Sequence, residues 1–92
     1  MKIFEIEHLS PEQAKWYTGE ERDDVIKVFV VNGFFPTELF CGTINGFYDI
    51  KGEGHEKFGM LRGFCGSGGQ LFEKKFLNKI KERLEKNGYT SK

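Results

Sequence analysis

His8, Cys41, His55 and Cys65 are the side chains of this 92-residue chain best suited to holding a soft metal or serving as a thiol nucleophile with its base. Paired zinc ligands usually stand roughly two to five residues apart, because one short turn must bring both to the same ion. None of these four has such a neighbour, so the spacing predicts no metal site. No local signature of a Cys–His nucleophile surrounds Cys41 or Cys65, and two cysteines outside any CxxC pairing read as free, partly buried thiols. Ser67 lies between glycines but lacks the Gly-x-Ser-x-Gly order of a nucleophile elbow, and its expected role is a cap or a turn. Catalytic residues, cofactor and metal are therefore all expected to be none.

Gly66-Ser67-Gly68-Gly69, ahead of a segment with helical periodicity, has a recognisable chemical use. A strand, a glycine-rich turn and a helix N-terminus present free backbone N–H groups and a positive dipole end to a phosphate. A Walker A loop is excluded because no Gly-Lys-Ser/Thr occurs, and Leu71 stands where a GxGxxG fingerprint has its third glycine. Gly66-Ser67-Gly68, with Leu71 opening an amphipathic helix that closes at Gly88-Tyr89, resembles the coenzyme A loop of the GNAT acetyltransferases over residues 62–89. That resemblance implies an acetyl-CoA-binding acetyltransferase as one alternative function. A plain turn before a helix is the competing reading of the same residues.

Aromatic residues and charges suggest binding more than catalysis. Phe34, Phe35, Phe40, Phe47 and Tyr48, with Lys51, Lys57 and Arg62, have the composition of a stacking and phosphate surface for single-stranded nucleic acid, a second alternative. The ten Phe must also supply most of the core. Trp16-Tyr17 precedes the acidic run Glu20, Glu21, Asp23 and Asp24, and aromatic anchors rimmed by charge are typical of protein interfaces. Packing over the sheet is nevertheless the expected fate of the Trp16 side chain. Residues 1–50 hold nine acids and four bases, whereas residues 51–92 hold five acids and ten bases. A neutral chain thus divides into an acidic and a basic half, which either meet two differently charged partner surfaces or pair with each other inside the fold.

The elements that must position these groups follow from periodicity and punctuation. Residues 2–8 alternate as a strand, and Ser10-Pro11-Glu12-Gln13 reads as a capping box opening a short helix that ends at Gly19. Residues 25–31 are β-branched and apolar on both faces, which predicts a central strand. Asn32-Gly33 and Asn45-Gly46 each lie between strand-like runs and predict hairpin turns, hence a meander over residues 25–51. Residues 58–65 read as a further strand. From 70 to 87, Phe72, Phe76, Leu77, Ile80 and Leu84 recur at helical spacing, with Lys74, Lys75, Lys79 and Lys81 on the outer face. The expected fold is one α+β domain spanning residues 1–92: an antiparallel β-meander sheet with a short N-terminal helix and a long C-terminal amphipathic helix packed on one face.

No run approaches the roughly 20 apolar residues of a membrane span, and the N-terminus mixes charge with hydrophobe, so a cytoplasmic protein with no membrane partner is expected. In size, Asn-Gly meander, terminal helix and lack of a catalytic motif, the whole chain resembles the small phage-encoded anti-CRISPR proteins, particularly inhibitors of the type I-F surveillance complex. The resemblance implies a stoichiometric inhibitor that is not an enzyme. Such an inhibitor would occupy the surfaces of a Cas protein, or of another large nucleoprotein complex of the host, that target DNA requires, with contact to the guide-RNA backbone possible. The residues expected to bind the partner are Glu20, Glu21, Asp23, Asp24, Trp16, Lys74, Lys75, Lys79 and Lys81, taken from charge and aromatic placement. If cysteines and histidines are uninvolved in folding, chelator and reductant will leave the melting temperature unchanged; a shift of many degrees with either would show that a metal or disulfide is required.

Overall fold

A computed structural model describes residues 2–36, 39–40, 58–63 and 69–92. The chain forms β1 (Ile3–His8), α1 (Pro11–Thr18), β2 (Val25–Val30), β3 (Met60–Gly63), β4 (Gln70–Glu73), a 3-10 turn (Lys74–Phe76), α2 (Leu77–Lys86) and β5 (Thr90–Ser91). The five strands make one sheet in the order β3-β4-β2-β1-β5. The α+β class expected from the sequence is therefore correct. The purely antiparallel character is not, because β5 runs parallel to β1, with Ile3 opposite Thr90.

The central position of β2 follows from its composition. Ile26, Val28 and Val30 bury on one face and Val25 on the other, which leaves no solvated side at the start of the strand. Its two edges are taken by β1, with Ile6 opposite Val28, and by β4, with Ile26 opposite Phe72, both antiparallel. That occupancy corrects the predicted meander. Asn32 has φ 57 but Gly33 is not in the left-handed region, as a type I′ turn requires. Residues 34–36 form no strand. Asn45-Gly46, Phe47, Tyr48 and the rest of the expected meander lie outside the described residues.

The C-terminal helix is also shorter than its periodicity suggests. Residues 70–73 form β4, and the helix comprises three 3-10 and ten α residues. Leu71 and Phe72 are adjacent and both fully buried, Leu71 with α1 and Phe72 in the cluster that holds α2. Only a strand sends neighbouring side chains to opposite faces, so two-sided burial overrides the i, i+4 spacing of Phe72 and Phe76. Since β4 and β1 both run antiparallel to β2, β4 and β5 are parallel, and α2 is the crossover joining them.

The principal core lies between the sheet and α2. Phe4, Ile26, Val28, Phe72, Ile80 and Leu84 are fully buried or nearly so, and Phe35, Phe40 and Phe58 extend the cluster. Phe40 stacks on Phe35 at 5.2 Å and meets Phe58 edge-on at 5.0 Å. Phe76 and Leu77, expected in the core, are half-buried against it. On the opposite face α1 covers a smaller cluster of Leu9, Ala14, Val25 and Leu71, with Tyr17 and Leu61 packed against it. The start of α1 matches the sequence reading: Gln13 N–H donates to Ser10 Oγ at 3.2 Å, and Ser10 N–H donates to Gln13 Oε1 at 3.0 Å.

Gly69 lies where β4 begins against β2. Its φ is +80, and a Cβ there would stand 2.7 Å from the Val28 carbonyl oxygen and 2.8 Å from Phe29 Cβ. Gly19, which closes α1 at φ +84, has open space around it. Gly19→Ala is thus strained in φ alone and is expected to cost about 1 kcal/mol. Gly69→Ala should cost distinctly more, because backbone must move apart. Equal denaturation midpoints for the two variants would show that Gly69 does not make this close approach.

Candidate partner-binding surface

The acidic run occupies the connection between α1 and β2, and local hydrogen bonds hold its shape. Thr18 Oγ1 donates to the Ala14 carbonyl at 2.8 Å and accepts from Glu20 N–H at 3.3 Å, so the chain turns tightly off the last turn of α1. Gly19 N–H donates back to the Lys15 carbonyl. At the far end, Arg22 Nε and Nη2 donate to Asp24 Oδ1 and Oδ2, both at 2.8 Å. This paired geometry is the strong form of an Arg–carboxylate contact. Lys74 N–H donates to the Asp24 carbonyl at 2.7 Å, tying the loop to the turn that follows β4.

These contacts sort the predicted residues. Glu20, Glu21 and Asp23 are exposed, while Asp24 is half-buried and engaged by Arg22. Trp16 is 73% exposed, which corrects the expectation that it packs over the sheet. Lys74, Lys75 and Lys79 are exposed and Lys81 is half-buried. Lys75 Nζ lies 3.6 Å from Glu73 and Arg22 Nη2 lies 3.9 Å from the same carboxylate. Lys79 Nζ stands over the Phe58 ring at 5.2 Å. The acidic loop and the first lysines of the basic segment are therefore neighbours, linked through Asp24, Arg22 and Glu73. One pair joins an acid of the first half to a base of the second, as one of the two sequence readings had it, Lys92 Nζ lying 3.6 Å from Glu5.

The glycine-rich turn does not lead into a helix. Gly66, Ser67 and Gly68 lie outside the described residues, but Gln70–Glu73 is a strand, so Leu71 opens no helix. The first N–H of the 3-10 turn, at Lys74, already serves the Asp24 carbonyl. The strand, glycine turn and immediate helix N-terminus that a coenzyme A loop combines are not assembled here. Of the aromatic residues proposed for stacking on bases, Phe35 and Phe40 are in the core and Phe34 is 73% exposed. His8 is exposed at the end of β1, and Cys41, His55 and Cys65 lie outside the described residues. Among the described residues no group of three His, Cys, Asp or Glu side chains could hold a metal, and no helix is long and apolar enough to cross a membrane.

Two features escaped the sequence reading. Arg22 sits within an acidic run and reads as a minor neutralising charge, yet it is the clamp of the loop. A cleft of about 550 Å³ lined by Glu5, Phe29, Asn32 and Phe34, among others, opens beside the end of β2. No sequence signal marks it, because the hairpin reading places Phe34 and Phe35 in a strand. Compared with known protein families, characterised proteins and solved structures, the chain matches none.

The hydrogen bond from Arg22 holds the Asp24 carboxyl below its ordinary value, against the opposing effect of desolvation; attraction to Arg22 and Lys75 adds to it. Asp24 in turn raises Arg22. A folded value below the unfolded one means that the pair's contribution is complete above the ordinary carboxylate pKa of about 4 and is lost as pH falls through the folded value. Its size is modest, because both side chains reach solvent. In an NMR titration the Asp24 carboxyl midpoint should fall below the ordinary aspartate value, and Arg22→Gln should raise it. An unchanged Asp24 midpoint in Arg22→Gln would refute the clamp.

Proposed function

We propose that the protein is a stoichiometric binding protein of the anti-CRISPR kind, which docks its acidic loop on a basic groove of a large nucleoprotein complex in place of nucleic acid. The observation that carries this reading is the double anchoring of the loop. With Thr18 fixing its start and Arg22, Asp24 and the Lys74 N–H fixing its end, Glu20, Glu21 and Asp23 face solvent in a set arrangement. Binding then requires little ordering of the loop, and ordering is a main cost of association. A row of carboxylates competes for the same lysines and arginines that grip phosphates. Asp24 acts inside the protein in this reading, and Glu20, Glu21 and Asp23 meet the partner. Lys74 and Lys75 border the loop and, with Lys79 and the half-buried Lys81 on α2, supply the contact to an RNA backbone or an acidic protein surface.

The chemistry is occupation of a surface, with no turnover. Charge at such a rim governs encounter rate and partner choice more than the fold's own stability. The test is target-DNA binding by a purified type I-F surveillance complex, titrated with this protein. One equivalent is expected to suppress DNA binding, whereas Glu20→Lys, Glu21→Lys and Asp23→Lys combined should lose most of that effect while melting like the parent. Undiminished DNA binding in the presence of excess parent protein would end the anti-CRISPR reading. Full suppression by the folded triple variant would remove the acidic loop from it.

A further inference from the structure

Trp16 is the chain's single tryptophan and its indole is 73% exposed, although a side chain of this kind ordinarily buries most of its surface. Its surroundings are acidic. Glu12 precedes it by one helical turn on the same face of α1 and is exposed, and the anchored loop with Glu20, Glu21 and Asp23 begins just past the end of the helix. Lys15 is the one exposed cation of that helix face. Asp24 and Arg22 neutralise each other and Lys75 pairs with Glu73, which leaves the carboxylates of Glu12, Glu20, Glu21 and Asp23 against the exposed Lys15 and Lys74.

An exposed aromatic face bordered by carboxylates excludes several occupants. Nucleic acid is disfavoured, since its phosphates would face four carboxylates. A purely apolar groove is disfavoured because it would strip water from those carboxylates without replacing it. A cation satisfies both parts of the surface, and the two basic side chains differ here. The guanidinium is planar, weakly hydrated and able to stack on indole while its edge pairs with a carboxylate; the lysine ammonium is a compact, strongly hydrated charge. We propose that Trp16 and the acids around it form a docking surface for an arginine-bearing segment of a protein partner, with the indole as the stacking platform. This rests on the reading that the acidic loop is the contact surface, and it specifies the partner's chemistry at that surface.

The lone tryptophan makes the surface directly observable. Intrinsic fluorescence would be followed while hexa-arginine, hexa-lysine and a single-stranded oligonucleotide are added in turn at low salt. A saturable change with hexa-arginine is expected, with affinity up to about five-fold above that for hexa-lysine, the whole of an exposed cation–aromatic contact being the upper bound of the difference. Salt should weaken it, and Glu20→Gln with Glu21→Gln should weaken it further. By calorimetry, Trp16→Ala should bind both peptides equally, and circular dichroism of this surface variant should match the parent. Equal affinity of the parent for the two peptides, or saturable binding of the oligonucleotide at Trp16, would overturn the inference. The docking proposal fails separately: arginine selectivity without any suppression of DNA binding refutes that function and leaves this surface standing, whereas suppression without arginine selectivity does the reverse.

Discussion

Both edges of β2 are occupied, by β1 and by β4, and the strand begins with side chains buried on both faces. Among the described residues β2 makes no hairpin with the chain that follows it, since residues 34–36 form no strand. Pairing of β4 with β2 also forces Gln70–Glu73 to be extended despite their helical spacing. Once β4 and β1 flank β2 in the same direction, the remaining chain has one way to cover the exposed apolar face. It crosses as α2, buries Ile80 and Leu84, and ends beside β1 as β5. Removing either side chain from such a site typically costs about 2–5 kcal/mol, a large share of the stability of a domain this small.

The same pairing decides the electrostatics. Val25 lies opposite Glu73, so the loop entering β2 and the turn leaving β4 are neighbours. Asp24 receives the Lys74 N–H, and Glu73 comes within ion-pair distance of both Arg22 and Lys75. An acidic half and a basic half of the chain therefore meet at one seam. Buried hydrogen bonding of the backbone fixes that seam, and the surface ion pairs add little energy of their own. Their effect is to spend Asp24 internally and to leave Glu20, Glu21 and Asp23 exposed in the loop that follows the helix carrying the exposed indole. A binding surface made this way depends on the sheet register as much as on its own residues.

Short-range signals were legible in the sequence because the physics behind them is local. The capping box at Ser10 and Gln13, the helix stop at Gly19, the strand at β1, the centrality of β2 and the apolar stripe at Ile80 and Leu84 each rest on a few consecutive residues. Exposure of Glu20, Glu21 and Asp23 was likewise foreseeable, since so charged a run cannot bury a face. What the sequence could not determine was which partner each segment would find. Asn32-Gly33 has hairpin chemistry, but β2 takes its partners from β1 and β4 instead. Phe72 has helical spacing, but Leu71 beside it must bury on the opposite side of the sheet. Arg22 has the look of a passing charge until Asp24 and Glu73 converge on it. In each case the deciding interaction joins residues far apart in the chain, and only the tertiary structure brings them together.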